Sequence, residues 1–194
     1  MKRVIGLSGV AGSGKDTMFA LLNFKNSKIK RFALADCLKN ELNIFTKDLY
    51  KIDLFNCTRE EKDLIRPLLV AHGKIRRTLT NGTYWTSKLT EEIKNFLNQD
   101  EENIAVITDI RYAEYEEDEL FWLKKQLGGY LIHITMNLDN NEKLKAPNRE
   151  EEQNDPILKK NADYRVIWNK VEPFSFKNLN LLTHAEKIEK FIRS

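Results

Sequence analysis

Gly9-Val10-Ala11-Gly12-Ser13-Gly14-Lys15-Asp16-Thr17 is the stretch on which the reading of this chain turns. It fits the pattern G-x-x-x-x-G-K, follows the strand-like run Lys2 to Ser8 (KRVIGLS) and precedes a helical pattern that starts at Lys15. Glycines at 9, 12 and 14 let the main chain wrap so that successive N–H groups face inward, as a nest for phosphate oxygens. The N-terminus of the following helix adds its positive dipole end at the same place. Lys15 brings an ammonium to the β- and γ-phosphates. A plain glycine turn would need neither the lysine nor three of the chain's 8 glycines within six positions. Gly9, Ala11, Gly12, Ser13, Gly14, Lys15, Asp16 and Thr17 are therefore the expected triphosphate-binding residues. The hydroxyl residue that usually follows the lysine is replaced by Asp16, with Thr17 next to it. Asp16 would meet magnesium directly or through water, or act at the attacking phosphate's end, and Thr17 would bond an α-phosphate. Alternatively Asp16 only favours the helix N-terminus, an effect of ~0.3–1 kcal/mol.

Outward from the loop, four more short apolar segments read as strands: Lys28 to Leu34, Asn103 to Thr108, Tyr130 to Thr135 and Tyr164 to Trp168. Helical periodicity occupies Lys15 to Phe24, Asp36 to Tyr50, Arg66 to Leu79, Trp85 to Leu97, Glu114 to Leu127 and Thr183 to Ile192. Alternating strands and helices imply right-handed crossovers and an α/β domain with a parallel sheet covered on both faces. Two connections break the alternation. Residues 36–99 form a helical insertion large enough to hold a substrate, and residues 137–161 form a polar connection that reads as a lid. The whole chain, 1–194, is expected to be one domain.

Ligands of open α/β sheets sit at the carboxyl ends of the strands. There the sequence places Asp36 and Lys39 after the second strand, and Asp109 and Arg111 after the third. Asp36 either serves the acceptor or caps the next helix, with Lys39 on a solvated face. Asp109 and Arg111 read as functional, an acid and a base at the end of a central strand. In the insertion, Arg66, Gly73 and Arg77 share one side of a helix and suit a monoester phosphate, unless their charges simply face water. Trp85 either stacks on a base or fills the core. Arg149 is the candidate to close over the phosphates from the lid. The acidic run Glu114 to Glu119 reads as a solvated helix start.

Composition narrows the classes. A net charge of +3 with interspersed signs argues against a nucleic-acid-coating surface. No apolar run approaches the ~18 residues of a membrane span. The N-terminus shows no signal-peptide pattern, so a cytoplasmic location is expected, the host cytoplasm if the protein is viral. Two cysteines, Cys37 and Cys57, offer neither a disulfide framework nor a zinc site.

The stretches LSGVAGSGKDT (7–17), FALADCLK (32–39), RPLLVAHGKIRR (66–77), YW (84–85), VITDIRYAEYE (106–116), GGYLIHI (128–134) and ADYRVIWN (162–169) resemble the phage-type deoxynucleoside monophosphate kinases, a branch of the P-loop nucleoside monophosphate kinases. The resemblance covers most of the chain in order. Cys37 departs from it, standing where proline is more usual, and the lid offers few arginines. It implies a five-stranded parallel sheet, ATP with Mg2+ on the loop, and a (deoxy)nucleoside monophosphate held by the insertion. It also implies catalytic roles for Lys15, Asp16 and Arg111, with Arg66, Arg77 and Arg111 on the acceptor or transferred phosphate. The expected partners are ATP and the monophosphate, without membrane or nucleic acid, and a homodimer is compatible with the sequence. The alternatives are a P-loop kinase of another phosphomonoester, such as phosphomevalonate or dephospho-coenzyme A, and a non-catalytic ATP-binding module.

Overall fold

The computed structural model describes residues 3–138, 142–170 and 179–193. Lys2 of the first expected strand and residues 139–141 of the expected lid lie outside them. Within the described residues, five strands form one parallel sheet: β1 (Val4–Ser8), β2 (Ile29–Phe32), β3 (Ile104–Ile107), β4 (Tyr130–Asn137) and β5 (Tyr164–Asn169). Their spatial order is β2-β3-β1-β4-β5, which puts β1 at the centre, with Ile5 opposite Val106 on one side and Tyr130 on the other. Every residue of β1 and β3 is buried, as their continuous apolar runs require for strands covered on both faces. On one face Met18, Leu21 and Leu22 of α1 (Lys15–Lys25) and Ile188 and Ile192 of α7 (Leu179–Arg193) pack against Ile5, Leu7 and Val106. On the other face lie Trp85, Leu89 and Ile93 of α4 (Thr83–Gln99) and Trp122 and Leu123.

The insertion consists of α2 (Leu34–Tyr50), α3 (Arg59–Leu79) and α4, with a small core of its own around Ile52, Leu54 and Ile65. Helix α3 begins two turns earlier than periodicity suggested. Thr58 and Glu61 form a capping box, each side chain bonded to the other's main-chain N–H. Pro67 consequently sits inside the helix rather than in its first turn, where proline is normally tolerated. The expected helix over Glu114 to Leu127 shrinks to α5 (Glu119–Phe121), which runs on as a π-helical turn over Trp122–Gln126. That turn carries Leu123 under the sheet, where a Cβ at Gly6 would come within 2.4 Å of it.

The polar connection departs most from expectation. Its second half is a helix, α6 (Arg149–Asn161), capped by Asn148, which accepts the Glu151 N–H at 2.8 Å. Leu158 buries it against the sheet. His133 of β4 is 2.9 Å from Asp155, and the Ala113 N–H reaches Asn154 at 2.8 Å. A packed helix occupies the second half of the stretch expected to form a lid.

Candidate active site

The loop between β1 and α1 has the conformation its sequence implies. Gly9, Gly12 and Gly14 have φ of 129°, 84° and 94°, in the region that favours glycine. A Cβ on Gly9 would lie 2.3 Å from the Ile134 carbonyl, and one on Gly14 would lie 2.5 Å from the Trp168 ring. Trp168, at the end of β5, also donates its indole N–H to the Ser13 carbonyl at 2.9 Å, so the last strand props the loop from beneath. The sequence reading had placed this tryptophan in a strand without a role. The Ser13 hydroxyl is buried without a protein partner.

Lys15 is 8 % exposed and folds its ammonium onto the carbonyls of Gly9 (2.6 Å) and Val10 (3.0 Å). Burial, and secondarily the Arg111 guanidinium, lower its pKa to about 8. Asp16 and Thr17 stand in the first turn of α1, Asp16 exposed and Thr17 half-buried. Their oxygens suit a hard cation. No cluster of three or more potential ligands among the described residues forms a resident metal site.

Strand β3 brings an arginine to this loop. Arg111 follows β3, and its Nη1 lies 3.3 Å from Glu151 Oε1, while Glu151 Oε2 accepts the Ala11 N–H at 2.8 Å. One carboxylate, 8 % exposed, thus spans the loop amide and the guanidinium. Gly9, Val10, Ile110, Arg111, Glu151, Asp155 and Leu158 line a small pocket there. The first turn of α6 also places Glu150 3.1 Å from Lys74 of α3 and 3.4 Å from the Tyr112 hydroxyl. Neither glutamate had been singled out in the sequence. The N-cap pair Asn148 and Glu151 was the local signal of an ordered turn.

Several expected ligands have other work. Asp109 accepts the N–H groups of Leu34 and Ala35 at 2.9 and 2.8 Å, so it caps α2 from the neighbouring strand instead of facing an acceptor. Burial raises its pKa while these two amides oppose the rise. Asp36 is not the cap; it pairs with Arg31 at 2.5 Å and Lys39 at 3.4 Å, and this half-buried cluster remains at the end of β2. Arg77 is buried, 2.7 Å from Asp118, with its guanidinium 3.5 Å from the centre of the Tyr112 ring. Arg66 pairs with Asp63 at 2.9 Å on an exposed turn. Trp85 is 4 % exposed and belongs to the core, its edge against His72 and Tyr84. Arg149 is exposed, and the residue that α6 presents to the loop is the acid Glu151. Asp118 and Glu119, taken for solvated residues, are 0 % and 4 % exposed. Charge in a sequence does not reveal whether its partner is water or another chain segment; here tertiary pairing decided.

A solved structure similar to this chain is the dephospho-CoA kinase from Campylobacter jejuni, with a TM-score of 0.52 and 15% identity over 99% of this chain and 98% of that one. The fold is that of the P-loop kinases. A shikimate kinase from Bacteroides thetaiotaomicron aligns over both full chains with a TM-score of 0.41 and 13% identity, too loose a likeness to argue from. No protein-family model and no curated protein matches the chain. Among the described residues, no helix is long and apolar enough to cross a membrane.

Proposed function

We propose that this P-loop fold transfers the γ-phosphoryl group of ATP to the phosphate of a (deoxy)nucleoside monophosphate, giving ADP and the diphosphate. One observation carries the reading. The Glu151 carboxylate touches the Ala11 N–H and the Arg111 guanidinium at once, at 2.8 and 3.3 Å. The two donors therefore lie within the span of a single small anion, which is what a transferring phosphoryl group requires.

The chain's own groups divide the work. Loop amides and the α1 N-terminus hold the triphosphate. Lys15 swings from the Gly9 and Val10 carbonyls, 2.6 and 3.0 Å away, to the phosphate oxygens. Arg111 neutralises the charge shared between donor and acceptor oxygens. Asp16 and Thr17 would hold the magnesium that accompanies ATP, which when bound would supply charge neutralisation across the phosphates. The acceptor phosphate is already anionic, so positioning dominates over general-base help. Asp36 and Lys39, paired at the start of α2, are the acceptor-side groups in this reading.

A second reading has its own observation. With Trp85 in the core, the insertion does not present that ring as the platform expected for a nucleobase. That favours a P-loop kinase of another phosphomonoester. An ADP-release assay over all deoxy- and ribonucleoside monophosphates, set beside non-nucleotide phosphomonoesters, separates the two. Turnover stimulated only by a non-nucleotide overturns the first reading, and ATP binding without acceptor-dependent turnover by any compound overturns both.

A further inference from the structure

Beyond β3 the main chain leaves the sheet, and the N–H groups of Arg111 and Tyr112 have no strand to pair with. Both go to one oxygen: Glu119 Oε2 accepts Arg111 N–H at 2.6 Å and Tyr112 N–H at 3.0 Å. The neighbouring Asp118 gathers the rest of the turn. Its Oδ2 accepts the Glu114 N–H at 3.1 Å and Arg77 Nη2 at 2.7 Å, and its Oδ1 accepts the Glu119 N–H at 2.9 Å. Residues 111–118 are thus folded around two adjacent buried carboxylates.

Two such acids side by side away from water are an expensive arrangement. Burial, and then the Asp118 charge, push the Glu119 pKa up to about 8. What the arrangement secures is the direction of one peptide. With its N–H fixed to Glu119, Arg111 turns its side chain toward the loop and meets Glu151 there. Arg77 of the insertion reinforces the same turn, bonding Asp118 and lying over the Tyr112 ring.

We infer that Glu119 is the positioning residue for Arg111, holding two consecutive main-chain amides so that the guanidinium is aimed at the phosphoryl site before substrate arrives. The inference rests on the proposed role of Arg111 in phosphoryl transfer. It has no part in ATP capture, which belongs to the loop.

The test is a double-mutant cycle between Glu119→Ala and Arg111→Ala. Phosphoryl transfer is measured from ATP to an equimolar mixture of the four deoxynucleoside monophosphates, and ATP affinity by calorimetry. Arg111→Ala lowers kcat about 100-fold or more. Glu119→Ala lowers it about 10-fold or more with the ATP dissociation constant within about twofold of wild type. Combined with Arg111→Ala, it adds no further loss of kcat, because a misaimed and an absent guanidinium are equivalent. Glu119→Gln, whose amide oxygen accepts the same two N–H groups, retains most of the rate. If Glu119→Ala does not fold, Glu119→Asp enters the same cycle, since it keeps the carboxyl group but falls one methylene short of the amides. Equal losses from the Glu119 change with and without Arg111 overturn the positioning role and leave the role of Arg111 standing. An unchanged kcat in Arg111→Ala alone overturns the Arg111 assignment itself.

Discussion

The phosphate loop and the helical insertion, the donor and acceptor ends of the proposed site, are made of different materials. Around the loop, the anion-binding groups are main-chain amides locked by glycines 9, 12 and 14 and propped by Trp168. On the insertion side the charges are side chains already paired within the protein: Arg77 with Asp118, Lys74 with Glu150, and Glu41 with Lys88, His72 and Arg76. Burial works against ionising Glu41, yet bonds from Lys88, Tyr84 and His72 hold its pKa down at about 2. An amide fixed in a loop keeps its direction whether or not a ligand is there. An ion pair must be exchanged for a new one, so its net return on binding is small. The difference suggests a rigid donor site facing an acceptor site that rearranges.

The largest effect that tests this contrast is at Lys15. Lys15→Ala should lower kcat/KM by about a thousandfold or more while the protein stays folded. Retained turnover would show that the donor end does not depend on the loop ammonium. Next comes Arg77→Ala, which leaves Asp118 buried without its partner and should destabilise the fold by about 3–5 kcal/mol in urea titration. Arg66→Ala, on an exposed pair, should change stability by less than about 0.5 kcal/mol. If instead Arg77→Ala left stability intact and raised the acceptor KM, its charge would belong to the substrate after all.

Lys15 gives a pH test with a definite sign. Its folded pKa, about 8, lies below the unfolded value of 10.5. Between these values the unfolded chain binds more protons, so stability rises as pH increases from about 8 to 10.5. The rise is at most ~3 kcal/mol, and Lys15→Ala should remove it. Thermal or urea unfolding across that window, wild type beside mutant, checks it; parallel curves would refute the burial cost.

Smaller effects refine the comparison. Trp168→Phe removes the indole bond to the Ser13 carbonyl and should weaken ATP binding by about 1 kcal/mol, fivefold or so, by calorimetry. Glu151→Gln removes a negative charge from beside Ala11 and Arg111, and ATP should bind a few-fold tighter, by ~0.5–1 kcal/mol. Weaker binding in that variant would mean the carboxylate supports the nucleotide instead of competing with it.

The same contrast explains what could be read in advance. The five strands and the loop were legible because apolar runs and glycine spacing act locally. Asp109 was legible as a functional acid at the end of a central strand but not as the cap of α2, because its partners are the amides of Leu34 and Ala35, more than seventy residues away. Helix α6 was missed because a polar run with Pro156 imitates a loop, while the bonds that fix it come from Ala11, Ala113 and His133. Asp118 and Glu119 looked like part of a wetted acidic run until the turn after β3 folded over them.

Trp168 reaches back 155 positions to the Ser13 carbonyl. On a ribosome, this means that a nucleotide grip begun at the glycine loop would be finished only after the 155 positions from Ser13 to Trp168 have emerged. Growing chains ending ahead of β5 would carry the glycine motif yet hold ATP poorly, so tight nucleotide capture would mark molecules whose sheet is complete.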